Sequence, residues 1–478
     1  MLAINPFFLA VGIIIGSGIL PLLFLWRRFV LMKAVASFGI TAGCLVGLID
    51  AILKLSHGAD WASSVTYLHA FRLAFRMDGL SAFFLMAIFL VSLLAAVYSY
   101  HYMDDAQKTM RVAVHYLFFS LLVASMALVV TAANMLTVMR CWEIMSLSSF
   151  FLVVYNYEND GNRKAGYLYF IFSQVGAMVI LAAFGVIYSH AASFGFEGAA
   201  ALPETAKLLV FVLAFIGFGS KAGVFPFHVW LPHAHPAAPS HISAIMSGVM
   251  FKCGFYGVLR IYALLGWHTS LSGYIVLVAG MISGILGVVY ALGQHDIKRL
   301  LAYHSVENIG IILIGIGLGM VGVAAGNPVM ALLGFGGGLL HVLNHAIFKS
   351  LLFLGAGMVL HKTGTRTIDV LGGLIKKMPI TGTTFLIGSL AICGLPPFNG
   401  FVSEFMIYIG GFRGVALGQA DFALSLLAIV SLAVIGGLAL ACFTKVMGVV
   451  FQGEPRSRAA EAVNEKGGSM ITPMVVLA

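Results

Sequence analysis

The stretch Val212–Arg260, VLAFIGFGSKAGVFPFHVWLPHAHPAAPSHISAIMSGVMFKCGFYGVLR, decides the fold. It reads as two membrane helices, each with one lysine inside its apolar run: Lys221 in the first and Lys252 in the second. Between them lies a passage rich in Pro and His, and Pro226 follows Lys221 by five residues. A lysine in hydrocarbon is expensive, and a nearby proline frees backbone groups that also need partners. A chain that keeps both is expected to move charge there.

Outward from this stretch the composition agrees. Of 478 residues, 60% are hydrophobic and only 9% charged, which excludes a soluble globular protein and fits an all-α integral membrane protein. The net charge of +9 is read as cytoplasmic loop charge and not as a nucleic-acid surface. Ile4–Trp26 is too long for a cleaved signal and is taken as the first span. Apolar runs then predict spans near 34–54, 79–101, 112–132, 134–155, 165–189, 206–228, 241–263, 273–293, 300–322, 329–360, 380–410 and 422–451. The run 380–410 contains Gly394-Leu-Pro-Pro397 and is expected to be a broken helix. A last run begins near Met470 and reads as the start of a helix cut short, about the fourteenth.

Lys and Arg are concentrated in the loops after odd-numbered spans, sixteen against six. That places those loops in the cytoplasm and the N-terminus outside. Arg140, Lys221, Lys252, Lys349 and Lys445 remain inside spans, with Glu143, Glu307 and Glu404. Each intramembrane charge costs about 2.5–3.5 kcal/mol unless paired, hydrated or neutralised. Arg140 precedes Glu143 by three residues and is expected to pair with it. Span 11 carries His341, His345 and Lys349 at i, i+4 and i+8, a stripe about 12 Å long suited to handing protons along a helix. Glu404 follows the second break and is expected at the far end of the path.

A weak internal repeat supports this. Gly223-Val-Phe-Pro-Phe227 in span 7 matches Gly394-Leu-Pro-Pro-Phe398 in span 12, and Glu143 in span 5 matches Glu307 in span 10. Spans 4–8 and 9–13 therefore read as two inverted five-helix repeats with broken helices 7 and 12, a pattern found in ion-translocating folds. The expected divisions are 1–111 (helices 1–3), 112–263 and 273–451 (the repeats), and 452–478 (a cytoplasmic loop and the last helix). His228, His233, His235 and His241 lack a Cys or acid cluster and read as a structural loop and not a zinc site. Cys44, Cys141, Cys253, Cys393 and Cys442 have no redox or metal spacing. No cofactor is expected.

The motifs Lys221-Ala-Gly-Val-Phe-Pro-Phe-His228, Trp230-Leu-Pro232, Ala238-Pro239 and Lys252-Cys-Gly-Phe-Tyr-Gly257 resemble those of the proton-translocating antiporter-like subunits. That family includes large membrane subunits of respiratory complex I, of multisubunit sodium/proton antiporters and of membrane-bound nickel–iron hydrogenases. The resemblance runs from Asp78-Gly-Leu-Ser-Ala82 to span 13. Trp142-Glu-Ile-Met-Ser-Leu147 and Leu301-Ala-Tyr-His-Ser-Val-Glu-Asn-Ile-Gly310 look most like the hydrogenase 4 and formate hydrogenlyase type.

The resemblance implies a Glu–Lys switch of Glu143 and Lys221, with Lys252 as the connecting lysine. His345 and Lys349, with His341 beside them, would form the relay helix, and Glu404 the exit. It further implies a proton-pumping subunit without a redox centre, in a bacterial or archaeal cytoplasmic membrane. Its partners would be other membrane subunits and peripheral hydrogenase or iron–sulfur subunits, and no nucleic acid. The alternatives are an NADH:quinone oxidoreductase subunit or a sodium/proton antiporter subunit, with sodium in place of the proton. Arg140 departs from the family pattern and would restrain Glu143.

Overall fold

The computed structural model describes residues 5–58, 60–67, 71–416 and 419–478. Twelve helices among the described residues are long and apolar enough to cross a membrane, so the chain is an all-α multi-pass membrane protein. The expected start of the first span, residue 4, lies outside the described residues; helix α1 (Pro6–Leu20) begins behind Asn5, whose side chain caps Phe7 N at 2.9 Å.

The chain divides into two compact units, 1–222 with 237–267, and 223–236 with 268–478. The first holds α1, α2 (Phe29–His57), α3 (Gly79–Tyr102), α4 (Thr109–Val129), α5 (Met135–Val153), α6 (Asp160–Ala191), α7 (Glu204–Ala222) and α8 (Ser240–Leu265). Start signals in the sequence are used literally: Asp78 caps Ser81 N at 2.9 Å and Asn134 caps Thr137 N at 2.8 Å. Glycines set the close helix contacts. A Cβ on Gly254 of α8 would come within 2.5 Å of the Phe218 carbonyl oxygen on α7.

One element departs from the all-helical expectation. Strands β1 (Trp61–Tyr67) and β2 (Phe71–Met77) form an antiparallel hairpin between α2 and α3. Its register puts Trp61 opposite Met77 and Ser64 opposite Ala74. The cause is visible in residues 72–77, where Arg72, Ala74 and Arg76 alternate with Leu73, Phe75 and Met77. Phe75 and Met77 are buried, and Phe75 meets Phe8 of α1 edge to face at 5.6 Å.

The second unit holds α9 (Ser270–Leu292), α10 (Ile297–Ala324), α11 (Pro328–Thr363), α12 (Pro379–Ile392), α13 (Asn399–Val415), α14 (Gln419–Val446) and the short apolar α15 (Gly468–Leu477). Helix α10 is buried along nearly its whole length. It owes this to glycines on both sides: a Cβ on Gly310 would lie 2.3 Å from Gly284 N of α9, and one on Gly334 of α11 would lie 2.3 Å from Gly319 N.

Both predicted breaks are present. Helix α7 stops at Ala222, Gly223 takes φ +84°, and Pro226 follows a cis bond from Phe225. The chain resumes as a short helix, Leu231–Ala237. The span expected over 206–228 thus ends six residues early, because the Gly–Pro passage cannot continue the helix. The run 380–410 splits into α12 and α13 around Gly394, at φ +62°, and a cis Pro396–Pro397 bond.

Lys445 was expected as an intramembrane charge. It sits near the end of α14 and donates to the carbonyl oxygens of Leu292 and Gln294, at 3.0 and 3.1 Å. It therefore closes the C-terminus of α9, where orphan carbonyls and the helix dipole favour a cation.

Candidate functional site

In the first unit, Lys221 stands on the last turn of α7 and is buried. Its ammonium donates to Tyr169 OH at 2.5 Å, Ser146 Oγ at 3.1 Å and Ser173 Oγ at 3.3 Å. Three donors meet three hydroxyls, so the charge is solvated by neutral groups from α5 and α6. Tyr169 also contacts Ser149 Oγ, and its ring lies 4.7 Å from the ammonium. Hydroxyls both donate and accept, so this cage can take or deliver a proton.

Glu143 lies one turn before Ser146 on α5, and its Oε2 accepts from Gln174 Nε2 at 2.9 Å. Gln174 is the neighbour in sequence of Ser173, which touches Lys221. The expected Glu143–Lys221 ion pair does not occur among the described residues. The hydroxyl cage already fills the lysine's donor directions, and the Gln174 amide takes the carboxylate to α6.

Lys252 is buried on α8, two residues beyond a π-helical turn, Met246–Met250. The wider turn alters the i→i+4 ladder, and Lys252 Nζ donates to the Ser247 carbonyl oxygen at 2.7 Å. Near one end of α8, Arg260 forms a bidentate pair with Asp78, at 2.6 and 2.8 Å. Burial raises the Asp78 carboxyl, but the guanidinium and the Ser81 amide more than offset this and hold it well below the usual carboxylate range.

In the second unit, one connected polar network joins three helices. His304 and Glu307, three residues apart on α10, form a close Nδ1–Oε2 contact. Asn308 Nδ2 donates to the His304 carbonyl oxygen at 2.8 Å and lies 3.4 Å from Glu307 Oε2. Asn308 Oδ1 faces His341 Nε2 on α11 at 3.1 Å, and His341 Nδ1 faces Ser403 Oγ on α13 at 2.9 Å. Asn344 closes the network, donating to Ser403 Oγ at 3.0 Å and to the Asn399 carbonyl oxygen, beside the second break, at 2.7 Å.

His345 and Lys349 continue the α11 stripe and are fully buried. His345 packs edge-on against Phe348 at 5.5 Å. Lys349 Nζ has no hydrogen-bond partner among the described residues and lies 6.0 Å from the Phe353 ring centroid. Glu307 Oε1 and His304 Nε2 are likewise without a hydrogen-bond partner there. The Glu404 carboxylate lies over Gly394 at the break, where a Cβ would come within 2.5 Å of Oε2.

The second-unit residues Glu307, His341, His345, Lys349 and Glu404 thus share one buried region. Tyr169, Ser146, Ser173, His304, Asn308 and Ser403 were not singled out from sequence. Only His304 carried a readable signal, its three-residue spacing from Glu307. The four histidines between the lysines separate: His228 stacks on Phe225 and His235 on Phe353, each at 5.1 Å, while His241 bonds His115.

A family described as "NADH:quinone oxidoreductase/Mrp antiporter, TM" matches residues 132–436, and "NADH-Ubiquinone oxidoreductase (complex I), chain 5 N-terminus" matches residues 61–111. The chain is 41% identical to hydrogenase-4 component B of Escherichia coli (strain K12), over 93% of this chain and 67% of that one. It is 36% identical to formate hydrogenlyase subunit 3 of the same strain, over 94% and 72%. A chain of the membrane-bound sulfane sulfur reductase, an archaeal respiratory membrane complex, superposes with a TM-score of 0.82 at 27% identity, covering 98% of this chain and 74% of that one.

Proposed function

This chain belongs to the NADH:quinone oxidoreductase/Mrp antiporter transmembrane family, and on that premise we propose that it is a proton-translocating subunit of a redox-driven membrane complex. The complex is of the hydrogenase 4 or formate hydrogenlyase kind, in a bacterial or archaeal cytoplasmic membrane. Support for this type comes from the likeness to hydrogenase-4 component B and formate hydrogenlyase subunit 3. Peripheral hydrogenase and iron–sulfur subunits are the proposed electron-carrying partners.

The observation that carries proton movement is the buried network from Glu307 through Asn308 and His341 to Ser403. It consists of groups that exchange protons or reorient their hydrogen bonds, and it ends at a helix break where backbone carbonyls are available. In the first unit, Glu143, Lys221 and Lys252 take the corresponding roles. Glu143 acts on Lys221 through the hydroxyls and Gln174 that surround them, and not through a direct ion pair.

The test is proton translocation in inverted membrane vesicles carrying the assembled complex, driven by its electron donor. Lys221→Ala and His341→Leu each abolish translocation while the complex still assembles. Wild-type translocation in both variants refutes the reading. Sodium-driven proton movement without any electron donor assigns the chain instead to an antiporter complex.

A further inference from the structure

A cavity of about 490 Å³ in the first unit runs from the exposed residues Gln107, Met110 and Tyr157 down to the buried His115 on α4. Its mouth is charged: Arg111 and Lys108 both contact Glu158, at 2.6 and 3.8 Å. At its floor, His115 Nε2 lies 2.9 Å from His241 Nε2 on α8. His115 Nδ1 has no hydrogen-bond partner among the described residues. Tyr155, Tyr116, Phe119 and Tyr102 wall the pair in, with Tyr155 5.3 Å from the His115 ring and Tyr102 5.5 Å from the His241 ring.

We propose that this cavity is the proton inlet of the first unit, and that the His115–His241 hydrogen bond passes the proton to the helix that carries Lys252. This rests on the reading of the chain as a proton-moving subunit. Neither histidine belongs to the groups already assigned to the path.

Two imidazoles joined by a single N···N bond need one donor and one acceptor, so one proton lies between them. A proton reaching His115 Nδ1 makes that ring cationic. The proton on His115 Nε2 then crosses to His241 Nε2, leaving His115 neutral and His241 cationic. His241 releases a proton from its other nitrogen, and both rings return to their starting tautomers by reorientation before the next proton enters. No charge is created or lost, and each ring uses the two nitrogens that distinguish histidine as a shuttle.

The output is well placed. His241 is the second residue of α8, and six residues on, roughly 9 Å along a helix, the Ser247 carbonyl oxygen holds the Lys252 ammonium. Ser243 lies between them on the same helix. The mouth is built from 107–111 and 154–157, beside loops that the Lys and Arg distribution assigns to the cytoplasm. A structural histidine pair would need neither the cavity nor its charged rim.

The test uses the assembled complex in inverted vesicles, with initial translocation rate and complex content both measured. His115→Ala is expected to slow translocation by at least about tenfold at unchanged complex content. Added imidazole restores part of the rate, because it can occupy the space the side chain leaves. His115→Phe fills that space without a nitrogen and is slowed without rescue. The double variant His115→Ala/His241→Ala is no slower than His115→Ala, since both act in one path. Wild-type rates in His115→Ala, with Lys221→Ala inactive, overturn the inlet and leave proton transport standing. Wild-type rates in both variants remove the reading on which the inlet rests. A loss in His115→Ala that imidazole leaves untouched, or that follows complex content, also overturns the inlet.

Discussion

Asn308 Oδ1 lies 3.1 Å from His341 Nε2, and this bond fixes the ring's donor. The Asn308 amide cannot turn round without loss, because its Nδ2 already donates to the His304 carbonyl oxygen at 2.8 Å. His341 therefore carries a hydrogen on Nε2. Its Nδ1 faces Ser403 Oγ, which also stands 2.9 Å from the Gly400 carbonyl oxygen. When His341 is neutral, the serine hydroxyl donates to Nδ1. When it is cationic, the hydroxyl turns to Gly400 and accepts from Nδ1. The ring can thus change charge at the expense of one hydroxyl rotation.

Asn308→Leu removes the acceptor that fixes this tautomer and leaves a buried N–H unpaired, a loss of about 1–3 kcal/mol in stability. Translocation is expected to fall by about tenfold or more. Asn308→Asp keeps an acceptor oxygen at the same place and retains more of the rate. Equal rates for the leucine and aspartate variants, measured in inverted vesicles, contradict the assigned role.

Tyr169→Phe separates solvation of Lys221 from packing. The variant keeps the ring beside the ammonium but removes the hydroxyl at 2.5 Å. It leaves the ammonium with two serine hydroxyls, destabilises the protein by about 1–3 kcal/mol and slows translocation severely. Ser173→Ala removes the longest of the three contacts, 3.3 Å, and has the smaller effect. The order Tyr169→Phe slower than Ser173→Ala is the outcome to check; the reverse order places the proton route elsewhere.

Much of this was legible in the sequence, and the failures have physical causes. Apolar runs and the two Gly–Pro passages gave the helices and their breaks, because a bilayer permits few alternatives to a helix. The hairpin at 61–77 was missed although its alternation is plain in Leu73, Phe75 and Met77. His304 and Glu307, at i, i+3 spacing, meet, while the Glu143 carboxylate reaches Gln174 on another helix and not Lys221. Spacing permits a contact, but neighbours on other helices choose the rotamer. The cage around Lys221 was unreadable for the same reason, since Tyr169 lies 52 positions away in the chain.

Lys445→Met tests the reading of that intramembrane lysine as the closure of a helix end. It removes the donors to Leu292 and Gln294 and is expected to cost about 0.3–1 kcal/mol through lost closure of α9. The melting temperature of the detergent-solubilised protein falls slightly while translocation per assembled complex stays at the wild-type value. A selective loss of translocation places Lys445 in the proton path instead.

Asp78 and Arg260 make the fold acid-sensitive at a defined place. The Asp78 carboxyl is held well below the usual range in the folded chain, chiefly because the Arg260 pair outweighs the penalty of burial. A depressed folded value means the unfolded chain binds the proton first. The pair's contribution is therefore complete above the unfolded carboxyl value, about 3.9. It is lost as pH falls from there through the lower folded value. Asp78→Asn has no such group to titrate, and it leaves the Arg260 guanidinium without its carboxylate. The variant should melt below wild type at neutral pH, and the gap should close as the pH is lowered beneath that unfolded value. Melting curves of both proteins in detergent decide it: a gap that stays constant over the acid range shows that the Asp78 charge adds nothing to the fold.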